Sequence, residues 1–158
     1  MKILLSICSL ALLVIMASAY PNGAPTVACG DMVPLHGVGP QSSPSPYSIT
    51  YSVEDKVYKV VVKASSGDSF KGFFLQARTP GTSNIIGAFT FSGSDVKYVD
   101  CSGGTNNAVT HTSNSEKTTV EVNWEPSTGF TGDVVFTLST VRSKDVFWVR
   151  KESNTFTI

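Results

Sequence analysis

The sequence predicts an all-β protein, an antiparallel β-sandwich of about eight or nine short strands. Three observations point there. Apolar residues recur with period two along several runs, separated by turn signals roughly every 8–12 residues. No window of a dozen residues carries helical periodicity. The block Gly72-Phe73-Phe74-Leu75-Gln76-Ala77-Arg78 is apolar on both faces of a would-be strand and ends in a charge, the pattern of a strand inside a packed core.

Along the chain, Met1 to Ala19 have the layout of a secretory signal peptide. Lys2 supplies the positive start, Ile3 to Met16 the apolar run, and Ala17-Ser18-Ala19 the small-x-small cleavage pattern. The run is shorter than the roughly 20 residues that span a bilayer, and no second such stretch follows. Residues 1–19 are therefore set aside, and a mature domain over residues 20–158 is expected to start at Tyr20. Without Lys2, 11 basic residues face 12 acidic ones, a net charge of −1. That balance argues against binding nucleic acid or anionic membrane by bulk electrostatics.

Of the three cysteines, Cys8 leaves with the signal, and Cys29 and Cys101 remain in an oxidising compartment. A structural disulfide between them would close a loop of about 73 residues, worth roughly 4 kcal/mol in the chain-entropy model. No Asn-x-Ser/Thr triplet marks an N-glycosylation site.

Tyr20 to Pro46 is rich in Pro and Gly, which rules out regular helix and central strand. An extended leader, held to the body at Cys29, is expected. Tyr47, Ile49, Tyr51 and Val53 then alternate with polar residues, and Glu54-Asp55 turns into a second strand, Val57 to Ala64. Phe70 to Arg78 is the two-sided strand, ended by Thr79-Pro80-Gly81. Ile85 to Phe91 and Asp95 to Cys101 are short runs, and Ser102 to Asn107 is a polar loop. Thr118 to Glu125 alternates most cleanly, with Val120, Val122 and Trp124 on one side. Pro126 to Gly132 is a turn, and Val134 to Leu138, Val146 to Val149 and Thr155 to Ile158 close the chain.

Several landmarks in order resemble one extracellular family. Tyr20-Pro21-Asn22-Gly23-Ala24-Pro25, Cys29, Met32, Pro34, His36-Gly37 and Pro40-Gln41 look like the opening of reeler domains. Phe70 to Arg78 resembles the family's central strand. Val109-Thr110-His111, Lys117, Val122-Asn123-Trp124-Glu125-Pro126 and Phe147-Trp148-Val149 match its later landmarks. The resemblance covers essentially all of residues 20–158 and implies an immunoglobulin-like β-sandwich. Such modules begin matrix proteins such as reelin and the spondins and occur in ferric-chelate-reductase-like membrane proteins. With no further module in the sequence, the chain is similar to the stand-alone insect proteins, which are secreted into haemolymph and regarded as defence proteins acting against bacteria. A secreted, extracellular location follows from the resemblance and the signal segment together.

The chemistry-bearing residues are few. A hydrolytic triad needs a nucleophile with a base, usually His. Only His36 and His111 exist, and no Gly-x-Ser-x-Gly elbow accompanies them. The disulfide could bring both histidines together with Asp31 or Asp100, but no tight ligand spacing supports a metal site. Hydrogen bonding of the histidines to loop backbone is the plainer reading, so no enzyme activity, metal or cofactor is expected. Recognition of microbial polyanions such as lipopolysaccharide calls for lysines beside apolar contacts. Lys59, Lys63 and Lys71 are the candidate surface-binding residues, as a cross-strand patch if all three point to solvent; Arg78 falls off that face by strict alternation. The competing role of these lysines is solubility and edge protection.

An adhesion or matrix module would use the same residues. A carrier of small apolar ligands would rest on Phe70, Phe73, Phe74, Phe89, Phe91 and Phe136. At strand spacing these, with Trp124 and Trp148, belong to a sandwich core. Together with what the resemblance implies, the expectation is a monomer or weak oligomer that acts in innate defence by noncovalent binding to bacterial surfaces, without nucleic acid or a membrane span.

Overall fold

The computed structural model describes residues 20–158, so the signal peptide expected at residues 1–19 lies outside the described residues. The described residues form a one-turn 3-10 helix at Thr26–Cys29 and ten strands. These are β1 (Tyr47–Glu54), β2 (Val57–Ala64), β3 (Gly72–Arg78), β4 (Ala88–Thr90), β5 (Val96–Val99), β6 (Ala108–His111), β7 (Thr119–Glu125), β8 (Asp133–Ser143), β9 (Val146–Glu152) and β10 (Phe156–Thr157). One sheet runs β1-β2-β7-β4, the other β10-β8-β3-β6-β5 with β9 also paired to β8. Every pairing is antiparallel.

Alternation places the first sheet. On β2, Tyr58, Val60, Val62 and Ala64 are buried, and on β7 Val120, Val122 and Trp124 meet them in register. The β1-β2 hairpin closes at Asp55 and Lys56, with φ of +49° and +70°. Two successive left-handed residues make the turn that suits twisted strands. The turn thus lies one residue beyond the expected Glu54-Asp55. Opposite this sheet, β3 contributes Phe73, Leu75 and Ala77, and β8 contributes Val134, Phe136 and Leu138. Trp124 sits at the centre, edge-on to Tyr58 and Phe136 with ring centroids 5.3 and 5.4 Å away. Its indole N–H donates to the Ile86 carbonyl at 3.0 Å, so the ring is buried without an orphaned donor. Each such fully buried side chain stabilises the fold by roughly 1.5–3 kcal/mol.

β6 has no counterpart among the expected runs. All four of its residues are buried, so period two vanishes and a short Ala-Val-Thr-His stretch carries no strand signal.

β3 explains the rest of the fold. All seven of its residues are buried, because it lies between β8 and β6 in the middle of the six-stranded sheet and both its faces are covered. Its outer face meets a second apolar cluster in which the leader's Ala28, Cys29 and Met32 pack on Phe74, Val99, Cys101 and Ala108. The Cys29–Cys101 disulfide, with Cα atoms 5.6 Å apart, ties the leader to the segment after β5. Close packing extends to Gly23 (φ +105°), where a Cβ would stand 2.4 Å from the His111 carbonyl oxygen.

Arg78 is the hidden anchor. Sequence alternation only removed it from the lysine face; in the structure it is 1 % exposed. Its Nη2 donates to the carbonyls of Cys29 and Gly30 at 2.7 and 2.9 Å, and its Nε to Gln76 Oε1 at 2.8 Å. Gln76 Nε2 donates to the Cys29 carbonyl at 3.2 Å. The pair therefore satisfies carbonyls at the end of the 3-10 helix that the apolar cluster would otherwise strand. Burial pulls the guanidinium's pKa below its ordinary value, an effect that Arg150 reinforces and Glu152 and Asp31 oppose. A guanidinium nevertheless stays charged in a protein.

Two outcomes follow. Arg78→Met removes the donors from both carbonyls, and urea unfolding is expected to show a loss of about 3 kcal/mol, with Arg78→Lys recovering only part because it lacks the planar fork. Cys29→Ala with Cys101→Ala lowers stability by roughly 4 kcal/mol in the same assay, the loop-closure contribution.

Candidate functional site

Between the leader and the outer face of the six-stranded sheet lies a cleft of about 320 Å³. Phe74, at the centre of β3, and Val141 and Ser139 of β8 form its floor, while Pro25, Met32 and Leu35 of the leader form a wall. The leader is held over this floor at both ends. His36 Nδ1 donates to the Lys144 carbonyl at 2.7 Å, and the His36 ring stands edge-on to Phe147 with centroids 5.5 Å apart. Gln41 N–H donates to the Phe147 carbonyl at 2.8 Å. These bonds join the leader to the β8–β9 hairpin.

His111 closes the other end. It is buried, its Nδ1 accepts the Phe73 N–H at 3.2 Å, and Nε2 is left to donate to the Tyr20 carbonyl at 3.3 Å. The ring can lie against β3 because position 72 is glycine; a Cβ there would stand 2.8 Å from His111 Cε1. Burial holds the His111 pKa below its ordinary value, outweighing the nearby Phe73 and Tyr20 carbonyls, which favour the protonated ring, and Lys117 and Lys97 push the same way as burial. Lys117 is itself buried, its ammonium donating to the carbonyls of Ser113, Ser115 and Lys71 at 2.9, 2.8 and 3.2 Å. Burial lowers its pKa too, against a smaller opposing pull from Asp95. It organises the loop beside the cleft rather than facing a ligand.

The charge at the mouth is one-sided. Lys71 and Lys144 border the cleft, with His36 and His111, and among the described residues no Asp or Glu lines it. Both lysines are exposed, and among the described residues neither is within an ion pair. Exposed large apolar residues also gather on the leader: Tyr20, Val27, Leu35 and Val38, with Leu35 53 % exposed at the cleft's lip.

The lysine patch expected from the sequence is not assembled. Lys59 and Lys63 project from β2 in the four-stranded sheet, whereas Lys71 leads into β3 in the other sheet. Alternation assigns a residue to a face of its strand and says nothing about which sheet the strand joins; β2 and β3 are not hairpin neighbours. Lys59 is also neutralised by Glu121 across β7, with 2.7 Å between Nζ and Oε2. Asp31 and Asp100 cap loops instead of meeting the histidines: their carboxylates accept the Val33 and Asn106 N–H groups at 3.0 and 2.7 Å. Of the expected core aromatics, Phe70, Phe73, Phe89, Phe136, Trp124 and Trp148 lie between the sheets, Phe91 packs at the margin of that core, and Phe74 faces the leader. Lys144 and the apolar leader residues escaped the sequence reading. The only cue to Lys144 was the polar Ser143-Lys144-Asp145 break between two apolar runs.

An antiparallel two-sheet sandwich with a disulfide-tied leader and an apolar, cation-rimmed cleft defines a β-sandwich binding module. The chain belongs to the Reeler domain family, whose model matches residues 27–158. It is 38 % identical over 148 residues to "Putative defense protein 3" of Antheraea mylitta, covering 90 % of this chain and 89 % of that one. It is 34 % identical over 145 residues to "Putative ferric-chelate reductase 1" of Danio rerio, covering 88 % of this chain but only 25 % of the fish protein. The chain thus spans about a quarter of that relative and nearly the whole of the moth protein. The human F-spondin reeler domain superimposes with a TM-score of 0.59 at 20 % identity, over 77 % of this chain and 92 % of that one, a likeness of fold. No helix among the described residues is long and apolar enough to cross a membrane.

The His111 shift has a signed consequence. A histidine whose folded pKa is depressed contributes full stability above its unfolded value, about 6.5, and loses it as pH falls toward the folded value. Thermal unfolding is therefore expected to show a drop in stability below about pH 6.5 that His111→Gln reduces, while above it the two proteins show the same pH dependence.

Proposed function

We propose that this protein is a secreted defence protein that acts against bacteria by noncovalent binding to polyanions of the microbial surface, lipopolysaccharide among them. The observation that carries the reading is the mouth of the cleft. Two unpaired lysines flank an apolar floor with no carboxylate lining it, on a domain whose overall charge is close to zero. Such a local cation pair beside apolar surface suits a phosphorylated amphipathic target and gives salt-sensitive attachment. The insect relatives named as defence proteins over nearly the whole chain support the defence role. Lys71 carries over from the expected patch, and Lys144 takes the place of Lys59 and Lys63. The resulting action is adhesion to cells and their aggregation.

Sedimentation with intact Gram-negative cells and capture on immobilised lipopolysaccharide, each at low and high salt, test this. The wild type is expected to bind both and to weaken with salt. Lys71→Glu with Lys144→Glu lowers low-salt binding at least about tenfold, taking roughly 1 kcal/mol per lysine at an anionic surface. Lys59→Glu with Lys63→Glu changes it little. Binding to heparin without binding to cells or lipopolysaccharide would overturn the reading in favour of an adhesion module.

A further inference from the structure

We propose that the cleft beneath the leader is a built site for one unbranched acyl chain that ends in an anionic head, the chain lying on Phe74 and Val141 and the head between Lys71 and Lys144. The inference deepens the surface-binding reading and rests on the same mouth, but it assigns a ligand class to the interior that the reading does not require.

Three observations converge. The first is shape and size. A volume of about 320 Å³ is at the lower end of small-molecule sites, and at roughly 30 Å³ per water-sized group it accommodates about ten methylenes. The second is where polarity is left over. The polar side chains deeper in the cleft already have partners: His111 is bonded to Phe73 and Tyr20, His36 to Lys144, and Ser139 Oγ accepts the Arg150 N–H at 3.2 Å. The apolar surface left open is mainly Pro25, Val33, Pro34, Leu35 and Val141, with Met32 and Phe74 nearly covered beneath it. Asn114 and Ser143 add neutral polar groups at the rim, and among the described residues that line the cleft Lys71 and Lys144 are the exposed cations. A ligand matched to this distribution is apolar along its length and anionic at one end.

The third is preorganisation. The leader is anchored by the disulfide, by Arg78 and by the His36 and Gln41 bonds to the β8–β9 hairpin. The wall therefore stands without a ligand, and binding need not order it. Leu35, 53 % exposed at the lip, would be covered by the chain as it enters.

Acyl chains with anionic heads occur both as free fatty acids and within bacterial lipopolysaccharide, and the two sources separate experimentally. Calorimetric titration of the intact protein with dodecanoate below its micelle concentration is expected to show saturable one-to-one binding. Lys71→Glu with Lys144→Glu should weaken dodecanoate at least about tenfold while leaving dodecanol unchanged, and Leu35→Asp, an exposed position, should weaken both. Equal affinity of the wild type for dodecanol and dodecanoate, or no effect of Leu35→Asp, overturns the proposal. Absence of dodecanoate binding with lipopolysaccharide capture intact overturns this proposal and leaves the surface reading standing. Dodecanoate binding without lipopolysaccharide capture supports the proposal for the free acid and sinks the surface reading. Competition between dodecanoate and lipopolysaccharide supports an acyl chain of the latter in the cleft.

Discussion

The burial of both faces of β3 is the constraint on which this molecule turns. A strand in the middle of a sandwich sheet ordinarily shows one face to the core and one to water. Here Phe73, Leu75 and Ala77 face the other sheet, while Phe74, Gln76 and Arg78 face outward and are still buried. Something must cover them, and the proline-rich leader does. A leader of that composition cannot join the sheet as a central strand, so its carbonyls need donors from elsewhere. Arg78 and Gln76 provide them at Cys29 and Gly30, and the disulfide fixes the same point covalently. One Arg78 nitrogen, Nη1, is left buried without a partner among the described residues, a cost the apolar cluster and the disulfide offset.

The cleft is a by-product of this arrangement. The leader covers β3 near the disulfide but leaves a gap over Val141, with Phe74 nearly covered at its base, before His36 and Gln41 bring it back to the β8–β9 hairpin. The gap inherits an apolar floor from the sheet and its two cations from segments flanking β3 and β8. Asp31 is spent on its own loop and Asp68 on Arg142, and Asp145, next to Lys144, stays out of the cleft lining. A positive mouth on a nearly neutral domain follows from placement rather than from composition, which is why net charge gave no sign of it.

What the chain reveals of itself tracks how local each signal is. β1, β2 and β7 were legible because each has one wet face and so alternates. The double-sided β3 was legible as core, but which element covers its second face was not, since that cover lies more than forty residues away in sequence at Cys29. β6 was illegible because burial on both faces erased alternation over four residues. Arg78 shows the limit most clearly. A charge ending an apolar run ordinarily points to solvent, and only the backbone carbonyls of the leader reveal that it points inward. The lysine patch failed for a related reason: alternation assigns faces, not sheets. The cystine was legible from counting alone. The family resemblance added the immunoglobulin-like form to a sandwich that periodicity already indicated, and the structural likeness to the F-spondin domain agrees with the sandwich.

The account stands on the leader being a fixed cover rather than a loose tail, and hydrogen exchange of its amides measures that directly. In the oxidised protein Ala28, Met32 and Gln41, whose N–H groups donate to Pro25, Ala28 and Phe147 carbonyls, are expected to be protected together with β3. Reduction of the disulfide should release the leader's protection while β2 and β7 keep theirs. Leader amides that exchange as fast as free peptide in the oxidised protein would contradict the account.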